Sequence, residues 1–143
     1  MAEGGPGSVP EPESVPGYRH SVFVRYSEAD QQGVVFNSHY LAYCDDAFDR
    51  WLRSLGWGFG GHEWDVMLRR AEIDWHGPAR YADTLDIDLC VTRWGTTSFD
   101  VRYGGTVKGT PVFTCTITYV GVQLGTMEKA PLPAAVRAAL GGG

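Results

Sequence analysis

Between Ser38 and Leu55 the apolar positions are Tyr40, Leu41, Cys44, Ala47, Phe48, Trp51, Leu52 and Leu55. They recur at i, i+3, i+4 and i+7, the stripe of one buried helix face. Asp45, Asp46, Asp49, Arg50 and Arg53 fill the other side. Asp46 with Arg50, and Asp49 with Arg53, are acid-then-base pairs one turn apart that add roughly 0.3 kcal/mol each. Asn37 or Ser38 suits the start of this helix and Gly56 its stop. The period changes on either side. Val22 to Tyr26 is β-branched and aromatic and reads as a first strand. Four further segments have strand character: Asp65 to His76, Leu85 to Val91, Phe99 to Tyr103, and Val112 to Leu124. In the second, Leu85, Ile87, Leu89 and Val91 alternate with polar residues, and Phe99, Val101 and Tyr103 do so in the third, as in a sheet with one covered face. Gly95-Thr96 and Gly109-Thr110 fit hairpin turns. Trp57 to Trp64 mixes glycine with aromatics and reads as a loop. Pro133 to Leu140 reads as a short closing helix.

One helix of about 18 residues spans roughly 27 Å. Its broad apolar face needs a mostly antiparallel sheet to cover it, which predicts an α+β architecture with a single central helix.

At 143 residues the chain has room for one domain with a real core. Its 43% hydrophobic and 20% charged content is that of a globular protein. A net charge of −5 argues against a general nucleic-acid binder, and no run approaches the ~18 apolar residues of a membrane span. Residues 1–17, rich in Gly, Pro, Ser and Glu, read as a disordered extension without signal-peptide features. The single domain is placed at 18–140, with the terminal glycines loose. Cys44, Cys90 and Cys115 are too few and too widely spaced for a disulfide framework or zinc site. Each sits in an apolar segment, so buried free thiols in a reducing cytoplasm are expected. No Ser nucleophile elbow, Walker loop, HExxH or CxxC pattern is present, and no metal is inferred.

The chemistry concentrates between Glu28 and Tyr43. Asp30 precedes the Gly33 turn, and the long helix begins a few residues later. A helix start offers N–H groups without internal partners and a positive dipole end, a site able to hold a developing negative oxygen. Asp30 also suits an Asx-type turn beside Gly33. Glu28 is close enough to act on Asp30 by like-charge repulsion, and is otherwise expected as a solvated loop acid. Tyr40, Phe48, Trp51 and Leu52 are expected in the core, with Tyr40 also a candidate for the pocket edge. Trp57, Phe59 and Trp64 are candidates for an aromatic pocket, and Arg69, Arg70, Arg80, Arg93 and Arg102 for phosphate contacts.

Three motifs resemble the hotdog-fold acyl-CoA thioesterases of the 4-hydroxybenzoyl-CoA thioesterase and YbgC-like group. The first is Asp30-Gln31-Gln32-Gly33-Val34-Val35-Phe36, with Tyr40 on the following helix. The second is Glu72 to Asp83, with its Pro78-Ala79-Arg80-Tyr81-Ala82-Asp83 turn. The third and weakest is Arg93-Trp94 through Ser98-Phe99. The resemblance covers about Val22 to Leu124. It implies a five-stranded antiparallel sheet wrapped around the helix, and hydrolysis of an acyl thioester to free acid and thiol. It implies Asp30 as nucleophile or general base, the Asn37 backbone N–H as oxyanion donor, and Gly33, His39 and Tyr40 as substrate contacts. It needs no cofactor, coenzyme A being part of the substrate. It further implies a homodimer, or a dimer of dimers, with the site between subunits.

The chain departs from the pattern in three places. Asn37 stands where many YbgC-like members have histidine, with His39 two residues later. Ala82 replaces a turn glycine. The turn Gly95-Thr96-Thr97 lacks the basic residues that CoA-using relatives often place there, which leaves room for an acyl group carried on a carrier protein's pantetheine arm. Two further readings stay open: a hotdog hydratase, in which His39 would meet an acid across the interface, and a non-catalytic acyl-thioester-binding module.

Overall fold

The computed structural model describes residues 16–57 and 63–142. The expected N-terminal extension therefore lies outside the described residues except at its last two positions, as do Phe59 and the middle of the Trp57 to Trp64 loop. Five strands form one sheet: β1 (Tyr18–Phe23), β2 (Trp64–Trp75), β3 (Thr84–Trp94), β4 (Ser98–Val107) and β5 (Thr110–Gln123). The spatial order is β1-β3-β4-β5-β2, and every neighbouring pair is antiparallel. The long helix α1 (His39–Ser54) packs on one face, and α2 (Ala134–Ala139) follows the last strand. This is the expected sheet around a single long helix.

The core is aromatic where α1 meets the sheet. Phe48 stacks on Tyr119 at 4.9 Å between ring centroids, and Tyr40 meets Phe113 edge-on at 5.1 Å. Irregular registers at Leu68/Arg70, Val91/Arg93 and Gly105/Thr106 break the ladders of β2, β3 and β4. Such bulges raise local twist and let a sheet curl around a helix. The helix stops as expected: the N–H of Gly56 bonds Arg53 O and that of Trp57 bonds Leu52 O, the paired bonds of a Schellman close. All three cysteines are free and buried.

Several boundaries differ from the sequence pattern. The first strand runs Tyr18–Phe23 instead of Val22 to Tyr26. Register decides this: Tyr18 pairs with Leu89 and Phe23 with Thr84, where the ladder ends. Val24 then bonds Ala82 and Asp83, and Tyr26–Glu28 turns into a 3-10 helix. The β4–β5 turn is Lys108-Gly109, one residue earlier than expected, because Val107 pairs with Thr110. Both turn residues have positive φ, 50° and 81°, as a type I′ hairpin demands. On α1, Tyr43 is buried although it lies outside the expected stripe, while Leu55 is 37% exposed. Gly141 and Gly142 are not loose. They close α2 with bonds to Ala138 O and Arg137 O, Gly141 supplying the left-handed φ of 102° that this close requires.

Candidate active site

Asp30 sits at the head of a tight reversal. Its N–H bonds Val34 O at 2.8 Å, the N–H of Gly33 bonds Asp30 O at 2.9 Å, and Ala29 bridges Val35. Gly33 holds φ at 78°, a left-handed conformation that a Cβ would strain. The Asp30 side chain completes an Asx turn, its Oδ1 accepting from Gln32 N at 2.8 Å and Val34 N at 3.4 Å. The carboxylate is exposed, and among the described residues its Oδ2 accepts no hydrogen bond. The turn reading and the reactive reading thus use different oxygens of one side chain.

The reversal is held by the second motif. Val35 N donates to Ala79 O at 2.8 Å, Tyr81 N to Gly33 O at 3.0 Å, and Val34 bridges Arg80. The Arg80–Asp83 turn is fixed by Asp83 Oδ2, which accepts from Arg80 N at 2.7 Å. Ala82 stands there at φ 71°, which explains why a glycine would suit the position. Two motifs about 45 residues apart along the chain are therefore neighbours in space.

After Phe36 the chain enters α1. Ser38 is the N-cap residue, and its side chain makes no capping bond. His39 N bonds Phe36 O and Tyr40 N bonds Asn37 O, whereas the N–H groups of Asn37 and Ser38 donate to no backbone carbonyl among the described residues. Asn37 is exposed. His39 is half-buried, its ring edge-on to Phe36. Tyr40 is 2% exposed and touches Tyr43, Trp75 and Phe113. Of the expected site residues, Asp30, Gly33, Asn37 and His39 thus lie along one surface segment, and Tyr40 is a core residue within the single chain.

Glu28 is not a solvated acid. It is buried, turned away from solvent by Arg25 and by the hydroxyl of Tyr43 on α1. The Arg25 to Glu28 spacing of an i, i+3 ion pair was visible in the sequence; the partner on the helix was not. Among the arginines, Arg93 is engaged by Asp100 at 2.9 Å and by Ser98, and Arg70 by Glu72 at 3.1 Å. Arg69 and Arg80 are exposed. Trp57 and Trp64 pack half-buried against the core. Among the described residues no group of three or more His, Cys, Asp or Glu side chains is placed to hold a metal ion, and no helix is long and apolar enough to cross a membrane.

A five-stranded antiparallel sheet wrapped on one long helix is the hotdog architecture. Residues 24–140 match the thioesterase-like superfamily, and the chain belongs to it. It is 29% identical over 121 residues to a 1,4-dihydroxy-2-naphthoyl-CoA hydrolase of Synechococcus elongatus, covering 81% of this chain and 89% of that protein. The fold is shared with a 1,4-dihydroxy-2-naphthoyl-CoA thioesterase from Synechocystis (TM-score 0.79, 24% identity, 87% of this chain and 95% of that one). It is shared equally with a gentisyl-coenzyme A thioesterase (TM-score 0.77, 20% identity, 84% and 99%).

Proposed function

We propose that the protein hydrolyses an aromatic acyl-CoA to the free acid and coenzyme A, with Asp30 as the reacting carboxylate. The observation that carries this is the division of labour at Asp30: Oδ1 is spent on the loop, and the exposed carboxylate's Oδ2 accepts no hydrogen bond among the described residues. Oδ2 either attacks the thioester carbonyl carbon or takes a proton from the water that does. The carbonyl oxygen then carries the negative charge, and the N–H groups of Asn37 and Ser38 at the start of α1 stand ready to receive it. Collapse of the tetrahedral intermediate breaks the C–S bond, and the thiolate leaves with its electron pair. A covalent anhydride, if formed, is cleaved by water to the same products.

The choice of an aromatic acyl group is supported by the relative named a 1,4-dihydroxy-2-naphthoyl-CoA hydrolase. The carrier-protein alternative rests on the turn at Gly95-Thr96-Thr97, which has no basic residue, and on Arg93, which is committed to Asp100. A homodimer, alone or paired into a tetramer, agrees with β2, a 12-residue edge strand that exposes Met67, Leu68 and Trp75. Joining two such edges would remove an unpaired ladder. Buried reduced cysteines agree with a YbgC-like protein of the cytoplasm.

The test is thiol release from 1,4-dihydroxy-2-naphthoyl-, gentisyl-, benzoyl-, 4-hydroxybenzoyl-, phenylacetyl-, short-chain and long-chain acyl-CoAs, with Asp30→Asn as control. Turnover of the aromatic thioesters that Asp30→Asn abolishes supports the proposal. Turnover confined to acyl-carrier thioesters moves the substrate to the carrier arm. Wild-type turnover by Asp30→Asn removes Asp30 from the chemistry.

A further inference from the structure

Glu28 is the single buried carboxylate among the described residues, and nothing in the hydrolytic steps uses it. Its side chain is saturated. Oε1 accepts from Arg25 N at 2.9 Å and from the Tyr43 hydroxyl at 3.0 Å. Oε2 accepts from Arg25 Nη2 at 2.9 Å and Nε at 3.3 Å. Its carbonyl accepts from Phe36 N at 3.1 Å. Burial by itself pushes the Glu28 carboxyl up, yet the bonds from Arg25 and Tyr43 outweigh this and hold it below the usual carboxylate range. Burial, reinforced by Glu28, pushes the Tyr43 hydroxyl up, so it remains a proton donor.

Burying a charge in a small domain is costly unless geometry returns something. Here the geometry joins three parts. Glu28 lies two residues before Asp30. Phe36, bonded to the Glu28 carbonyl, lies immediately before Asn37. Tyr43 lies one turn into α1, four residues after His39. Both ends of the loop carrying Asp30, and the helix whose start supplies the N–H groups, are thus tied to one residue.

We propose that Glu28 is the positioning residue of this site: through Arg25, Tyr43 and Phe36 it fixes the Asp30 turn relative to the start of α1. The proposal rests on the reading of Asp30 as the reacting carboxylate. A carboxylate and an oxyanion donor must be held together in register with the carbonyl, and misplacement by about 1 Å can cost on the order of 100-fold in rate. Glu28 lines a cavity of about 420 Å³ beside His39, but both of its carboxylate oxygens are already taken by Arg25 and Tyr43. A positioning role therefore predicts that the loss falls on kcat and spares KM.

The experiment is steady-state thiol release by the full chain on the best acyl-CoA of the panel, for wild type, Glu28→Gln, Tyr43→Phe, the double variant and Asp30→Asn, each first checked by circular dichroism and melting temperature. Glu28→Gln and Tyr43→Phe should each lower kcat by roughly 10- to 100-fold with KM within about twofold. The double variant should be no worse than Glu28→Gln alone, because both break one link. Should Glu28→Gln not fold, Tyr43→Phe, which leaves the Arg25 bonds intact, carries the test. Wild-type kcat in the folded single variants, losses that multiply in the double variant, or a rise in KM at constant kcat would each overturn the inference. If Asp30→Asn is dead while Glu28→Gln is not, only the positioning role fails. If Asp30→Asn turns over normally, the reading of Asp30 fails and the positioning role with it.

Discussion

The Tyr119 hydroxyl donates to Asp45 Oδ1 at 3.0 Å, and Tyr103 lies 2.7 Å behind it, oxygen to oxygen. A buried polar chain therefore runs from β4 through β5 to a carboxylate on the outer part of α1. Burial raises the Asp45 carboxyl above the usual carboxylate range, and the Tyr119 bond only partly offsets it. The sign follows from linkage. A raised folded value means the native state holds the proton more tightly than the unfolded chain. The charge therefore destabilises the fold above the raised value, and this penalty is relieved as pH falls through it toward the unfolded value of about 3.9. Asp45 keeps contact with solvent, so the effect is small. Asp45→Asn should raise Tm at pH 7 by on the order of 1–3 °C, with the gap closing near pH 4. Thermal melts across that range check it. A lower Tm at pH 7 would mean that the Tyr119 bond to a charged acceptor matters more than the charge's desolvation.

Ala82 offers a cleaner stability test. At φ 71° it carries a left-handed backbone that costs an L-residue roughly 1 kcal/mol, and its N–H and the Asp83 carbonyl are tied to Val24. Ala82→Gly removes that strain and loses about 0.5 kcal/mol to the freer unfolded chain. The expected result is a gain of about 0.5 kcal/mol in urea denaturation, with unchanged m-value. Ala82→Val should lose more than about 1 kcal/mol, because β-branching is poorly accommodated at positive φ. Equal midpoints for all three proteins would show that the turn relaxes around residue 82.

Much of this was legible in the chain. The period of α1 gave its length within two residues, and period-2 alternation located β3 and β4, because in both cases one face is buried and the other wet. The glycine turn after Asp30, ahead of α1, was also legible, because Gly33 takes the left-handed φ that the reversal needs. What escaped was set by long-range partners. The first strand shifted toward Tyr18 because its register is dictated by β3, some 65 residues on. Glu28 read as a surface acid because its burial depends on Tyr43; Asp45 is exposed, as its place on the polar side of the helix implies, but its bond from Tyr119 on β5 could not be read from the chain. The hairpin turn slipped by one residue because Lys108, a poor left-handed residue, occupies a turn position that composition would assign elsewhere.

The cysteines bear on any assay that reads thiols. Cys44 and Cys90 are buried, and burial is the main reason their thiols are pushed up; at Cys44 the neighbouring Cys115 adds to it, whereas at Cys90 Arg102 pulls slightly the other way. Thiolate is the reacting form, so the native protein should react negligibly with an aromatic disulfide reagent at pH 7–8. All three thiols should titrate after unfolding in guanidinium. Rapid native labelling of a full equivalent would reveal that one cysteine is reached by local opening, and thiol-release rates would then need that background subtracted.

Asn37 separates a backbone role from a side-chain role. Its exposed side chain makes no hydrogen bond among the described residues, and its carbonyl accepts from Tyr40 N. If the oxyanion is held by the backbone N–H, Asn37→Ala should keep kcat within about threefold, since the donor survives. Asn37→Pro deletes that N–H. Proline also asks Phe36, the preceding residue, to stay extended, which suits a residue outside the helix. A fall in kcat on the order of 100-fold or more, with the helix content of wild type by circular dichroism, is the expected outcome for Asn37→Pro. The opposite pattern, a large loss in Asn37→Ala with a similar loss in Asn37→Pro, would transfer the role to the side-chain amide. In that case Asn37→His, which restores the residue type many YbgC-like members carry there, should recover activity that Asn37→Ala lacks.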